Sequence, residues 1–135
     1  MSPPPPEEGA VHVVERTFTA DEVRTFADLS HDTQAIHTER DPPLVHGLLT
    51  ATLPTEVGGA LDVLAHTMEF EFCTPVYAGD TVRCEWTTER VDTRPDRYEL
   101  AATVDCRRTT SARADADEGP VLRGRVEGLV WRTDS

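Results

Sequence analysis

Apolar residues change their spacing partway along the chain, and that change separates two kinds of structure. From His66 onward they alternate with polar residues at period two, the spacing of a strand with one dry and one wet face. Met68, Phe70 and Phe72 alternate with Glu69 and Glu71, and Val82, Cys84 and Trp86 with Arg83 and Glu85. Tyr98, Leu100, Ala102, Val104 and Cys106 alternate with Glu99, Thr103, Asp105 and Arg107. A last run, residues 121–131, is less regular and suits a strand covered on both faces for part of its length. Residues 75–80, 92–96 and 109–120 break these runs, and the last, polar and acidic toward its end, reads as a long mobile hairpin loop.

The first half follows another pattern. Residues 2–9 hold four consecutive prolines and two glutamates, a composition that cannot pack a core, so residues 1–10 are expected to form a disordered arm. Residues 11–18 read as a short strand. Thr19 and Glu22 then have the spacing of a capping box, and Phe18 and Val23 that of a hydrophobic staple, which together start a helix. Its apolar face, Val23, Phe26 and Ala27, fades near Ser30. Residues 31–45, polar and closed by Pro42-Pro43, read as loop. Beyond His46 the chain is apolar nearly all round, with Leu48, Leu49, Ala51, Leu53 and Val57, which predicts a mostly buried helix. Pro54 is expected to kink it and Gly58-Gly59 to end it. The order of strand, helix, loop, buried helix and four strands predicts a single α+β domain over residues 11–135, with one antiparallel sheet packed on a central helix. Exposed sheet edges favour pairing two copies.

Composition narrows the setting. The 135 residues fit one domain with one core. No run of 18 apolar residues predicts a membrane span, and the start of the chain lacks the order of a secretory signal, so a cytoplasmic protein is expected. Cys73, Cys84 and Cys106 are odd in number and widely spaced, which fits buried reduced thiols rather than a disulfide framework or a zinc half-site. Twenty-five acidic against 13 basic residues give a net charge of -12, and every basic residue is arginine. Such a surface repels nucleic acid and anionic lipid. The absence of lysine fits a halophilic protein from a salt-rich cytoplasm and also a GC-rich genome.

Proton-moving groups concentrate in the loop before the buried helix, where His31, Asp32, His37 and His46 lie within sixteen positions. Loop histidines and aspartates commonly just face water or cap a turn. Here they precede a buried helix, which could hold them against an apolar cavity. A carboxylate and an imidazole held together can position a water and move its proton. The start of the helix leaves unpaired N–H groups, and Gly47 either lets a carbonyl oxygen approach them or is simply a tight entry to the helix.

Phe18-Thr19, Phe26-Ala27-Asp28-Leu29-Ser30, Asp32, Ile36-His37 and Val45-His46-Gly47-Leu48-Leu49 resemble the MaoC-like (R)-specific enoyl-CoA hydratases, and the segment from Phe70 to Asp80 is similar to that family's strand and turn after the central helix. The motifs cover residues 18–82; the later strands agree in pattern only. The resemblance implies a hotdog fold, a homodimer and reversible addition of water to a 2-enoyl thioester, an acyl-CoA rather than an acyl carrier protein given the acidic surface. It implies no metal and no redox cofactor. By position Asp32 and His37 would be the catalytic pair, Gly47 the donor to the thioester oxygen, and Thr55 would stand for a serine that helps organise the site. Three departures stand out. Gln34-Ala35 replaces the usual Asn-Pro, His31 the usual glycine before the aspartate, and the stretch from His37 to Val45, which borders the acyl pocket in the family, is short.

Rival readings use the same residues. A thioesterase would use the same helix start for hydrolysis, although the Asp32/His37 spacing with Val45-His46-Gly47 matches the hydratases better. A non-catalytic thioester-binding module would accommodate Gln34 and Ala35. A metal hydrolase would need ligands from His31, Asp32, His37, His46 or His66 at no recognised metal spacing. To hold CoA phosphates the chain offers Arg83, Arg94, Arg97, Arg107, Arg108 and Arg123, each equally suited to a solvated strand face.

Overall fold

The computed structural model describes residues 4–111, 113 and 119–132. The first three residues of the expected arm, and residues 112 and 114–118 of the expected mobile loop, lie outside these. Strand β1 spans Val11–Thr17. The chain meets the sheet before it: the Gly9 N–H donates to the Thr88 carbonyl at 2.7 Å, and a Glu8 carboxylate oxygen accepts the Val91 N–H at 3.0 Å. Residues 8–10, which composition assigns to the arm, therefore run along a strand.

Helix α1, Ala20–Ser30, opens with the predicted capping box. Thr19 Oγ1 accepts the Glu22 N–H at 3.1 Å and Glu22 accepts the Thr19 N–H at 2.9 Å. Phe18 and Val23, the staple residues, are fully buried. The helix ends at His31, whose φ of 64° is left-handed. Where the pattern predicts only loop, a single turn, α2, forms over Ala35–Thr38 and carries His37. Four residues are too few to show a helical period, so polarity and the two prolines masked it.

The buried helix is two pieces. Helix α3 covers Gly47–Thr50 and α4 Thr52–Ala60, joined at Ala51. The expected kink thus falls one turn before Pro54, which leaves the proline in the first turn of α4 where its missing amide costs nothing. Gly58 and Gly59 do not end the helix: they lie inside α4, and the left-handed residue is Asp62, at φ 58°.

Strands β2 (Leu64–Phe72), β3 (Thr81–Thr93), β4 (Arg97–Thr110) and β5 (Gly119–Trp131) follow. They form one antiparallel sheet in the order β1-β3-β4-β5-β2. Helix α4 packs on β1, β3 and β2, burying Leu53 and Val57 in a core with Trp86, Leu100, Val104 and Val126. Burial of each such side chain contributes about 1.5–3 kcal/mol. A five-stranded antiparallel sheet around a central buried helix is the hotdog fold.

Two strands depart from the simple alternation. β5 carries Gly124 opposite Phe70, and a side chain there would collide with the Glu69 backbone, which explains its irregular pattern. β2 has the predicted apolar face, but of Met68, Phe70 and Phe72 only Phe70 packs on the core. Met68 and Phe72 are 47% and 50% exposed, because β2 is an edge strand that the helix covers only in part. Cys84 and Cys106 face each other across β3 and β4, buried and unbridged. The Cys84 side chain and then burial push the Cys106 thiol up. Cys73 lies just past the end of β2 and is half-buried, not fully buried as expected.

The turn at residues 75–80 fastens the site loop to the sheet. Val45 N–H donates to Val76 O at 2.7 Å, and Ala78 N–H to Pro43 O at 3.0 Å. Asp80, 1% exposed, holds the turn from inside. Its Oδ2 accepts the Tyr77 N–H at 3.0 Å and lies 3.5 Å from the buried Arg108 guanidinium, while Oδ1 meets the Ser111 hydroxyl. Among the described residues no helix is long and apolar enough to cross a membrane.

Candidate active site

Three short pieces of chain converge beside the helix start. The end of α1 delivers Asp32, α2 delivers His37, and the entry to α3 delivers His46 and Gly47. All four line one cavity of about 340 Å³, with Phe26, Leu48 and Phe72 among its apolar walls.

His37 is 5% exposed. Its Nδ1 lies 2.6 Å from the Leu44 carbonyl oxygen, an acceptor only, so Nδ1 carries the proton and donates. The other ring nitrogen, Nε2, faces Asp32 Oδ2 at 3.5 Å. The other carboxylate oxygen, Oδ1, accepts from the Gln34 amide at 2.8 Å. This bond holds the Asp32 carboxyl below its ordinary value, with His37 and His46 nearby adding smaller favourable effects. At 3.5 Å Asp32 Oδ2 and His37 Nε2 are far apart for a direct bond, and whenever Nε2 carries no proton both atoms are acceptors. A water donating one hydrogen to each satisfies both and turns its oxygen lone pairs into the cavity.

His46 underlies this pair. Its ring stacks on His37, centroids 3.6 Å apart and planes 14° from parallel, and meets Phe26 edge-on. Its Nε2–H donates to the Asp32 backbone carbonyl at 3.0 Å, and its buried Nδ1 has no partner among the described residues. Donor atoms of Asp32, His37 and His46 all lie within 4.8 Å of one another. Stacked imidazoles point their lone pairs along nearly parallel planes, so an ion about 2.1 Å from both rings would sit far out of each plane. The trio suits a water and its proton better than a metal.

Gly47 opens α3. The first-turn N–H groups of Leu49 and Thr50 donate back to the His46 carbonyl, whereas those of Gly47 and Leu48 have no partner among the described residues. A Cβ on Gly47 would come within 2.9 Å of Phe72 Cε1, so a larger residue there would push the Phe72 ring aside.

The structure does not bring Thr55 to this cavity. Its hydroxyl donates to the Ala51 carbonyl at 3.0 Å, and it lines a separate cavity of about 210 Å³ with Met68 and Trp86. Conversely, Gln34 joins the site without having been assigned a part in it, and His46, counted among the proton-moving groups of the loop, enters as the support of the Asp32/His37 pair. A side-chain amide two residues after an aspartate is the signal that could have found Gln34; the contact of His46 with Asp32 spans a loop and leaves none. Of the arginines available for a CoA phosphate, Arg94, Arg97, Arg107 and Arg108 pair with carboxylates.

Comparison with known proteins points the same way. The sequence profile of the MaoC like domain matches residues 2–107. No curated protein matches the sequence. Among solved structures, the (R)-hydratase from A. caviae involved in PHA biosynthesis is 25% identical with a TM-score of 0.74, covering 92% of this chain and 96% of its own. A MaoC-like dehydratase from Rhodospirillum rubrum is 18% identical at 0.75, covering 96% and 95%. An R-hydratase from Pseudomonas aeruginosa is 16% identical at 0.74, covering 95% and 83%. The last two carry the fold alone.

Proposed function

Since this chain belongs to the family of the MaoC like domain, we propose that it is a hydro-lyase that reversibly adds water to a 2-enoyl thioester, in the manner of an (R)-specific enoyl-CoA hydratase. The observation that carries this reading is the facing pair of Asp32 Oδ2 and His37 Nε2, 3.5 Å apart, beside a Gly47 N–H with no partner among the described residues.

In this reading the thioester carbonyl accepts the Gly47 N–H, and the C2–C3 double bond lies over the water held by Asp32 and His37. Asp32 takes a proton as the water oxygen bonds to C3. The displaced electron pair moves through C2 toward the carbonyl oxygen, where the Gly47 N–H stabilises the growing negative charge. The acid/base pair then returns that proton to C2. The product carries hydroxyl at C3 and hydrogen at C2, and both residues regain their starting states. Dehydration runs the same steps backward. The lowered Asp32 carboxyl suits a base that starts ionised.

The exposed β2 edge, with Leu64 59% and Met68 47% exposed, suits pairing of two copies into a homodimer. We take the carrier to be CoA, because the net charge of -12 disfavours docking an acidic carrier protein, and place the reaction in the cytoplasm. Incubating the protein with crotonyl-CoA tests the activity: loss of the conjugated enoyl absorbance without release of free thiol is expected. Thiol release at the same rate would instead mark a thioesterase.

A further inference from the structure

Phe72 stands between two cavities. The catalytic cavity, with Asp32 and His37, measures about 340 Å³. A second, of about 270 Å³, is walled by Leu44, Val45, Val76, Val121 and Cys73 and has no charged residue in its lining. Gly47 and Phe72 are the two residues common to both linings. The Phe72 ring lies so close to Gly47 that a Cβ there would come within 2.9 Å of its Cε1, and it stands where the two linings meet.

We propose that Phe72 sets acyl-chain length: it walls the catalytic cavity off from an apolar subsite suited to the distal carbons of a longer acyl group. This rests on the thioester reading above and adds to it the substrate class, short-chain acyl thioesters for the protein as it stands. Two features give Phe72 this part rather than a core-packing one. It is 50% exposed, at the end of an edge strand, so its ring is not fixed by the core. Its tight contact is with a glycine of the catalytic cavity. The second cavity suits hydrocarbon because each methylene that leaves water there gains about fourfold in affinity.

Saturated thioesters bind without being turned over, so they read the subsite apart from catalysis. Calorimetric titration of butyryl-CoA and octanoyl-CoA into the full chain is expected to give affinities within a few-fold of each other. In Phe72→Ala the octanoyl-to-butyryl affinity ratio should rise about tenfold or more, and in Phe72→Leu, which keeps the edge apolar, by a smaller factor. Adding Cys73→Trp, which fills the second cavity from a half-buried position, should cancel the gain. An unchanged ratio in both Phe72 variants overturns the proposal, as does a wild type that already binds octanoyl-CoA tenfold better, or no binding of either ester. Butyryl-CoA binding and the expected ratio change without crotonyl-CoA hydration would reject the hydratase reading and leave the subsite standing. Hydration with a fixed ratio would do the reverse.

Discussion

His46 donates its Nε2–H to the backbone carbonyl of Asp32 at 3.0 Å, across fourteen residues of chain, while the face of the same ring carries His37. One side chain thereby sets the height of the carboxylate and the tilt of the imidazole. His46→Gln keeps a donor for the Asp32 carbonyl and loses the stack, whereas His46→Phe keeps the stack and loses the donor. Each is expected to lower kcat about tenfold or more with KM changed by less than threefold, and His46→Ala to lower it further. A purely structural part would instead show as lost stability with kcat intact in the folded fraction.

Gln34 controls the charge of Asp32. Its amide bond is the largest cause of the lowered Asp32 carboxyl. A carboxyl lowered by folding adds stability that is present above its unfolded value and fades as pH falls through the folded one. Gln34→Ala removes that bond, so Asp32 should protonate at higher pH than in the wild type. Carbon-13 titration of the Asp32 carboxyl reads this directly, and an unmoved midpoint would show that the bond does not form in solution.

Asp80 supports the site from behind. With its carboxylate removed, the Arg108 guanidinium loses a buried counter-charge and the Tyr77 N–H its acceptor. Asp80→Ala is expected to cost about 3 kcal/mol, seen as a fall in the denaturation midpoint. A cost below about 1 kcal/mol would mean that water or another group replaces it.

The surface should respond to salt. With 25 acidic residues against 13 arginines, like-charge repulsion opposes folding and is screened as ionic strength rises. The melting temperature is expected to increase between low and molar salt, and indifference to salt would argue against a halophilic protein.

How far the sequence reveals this arrangement depends on the length of each signal. The capping box at Thr19 and Glu22 and the two-residue alternation of β3 and β4 are local and repeated, and both appear where the pattern puts them. The single turn of α2 is too short to leave a period, and the break at Ala51 depends on where the backbone yields to Pro54. β2 reads as half-buried because alternation reports which face is apolar, not whether anything covers it. At the site, the resemblance brings Asp32, His37 and Gly47 to one cavity and leaves Thr55 in another. His31, where the family usually has glycine, adopts the left-handed conformation that glycine takes freely. At the Gln34-Ala35 departure Ala35 takes the place of the proline, and Gln34, where the family usually has asparagine, hydrogen-bonds the Asp32 carboxylate.

Turnover in Asp32→Asn and His37→Ala tests the central claim most directly. Each should retain the wild-type circular dichroism spectrum and oligomeric state while losing most crotonyl-CoA hydration, about 100-fold or more in kcat, as expected when a general acid/base group is removed. Wild-type turnover in either folded variant would contradict a water held between Asp32 and His37.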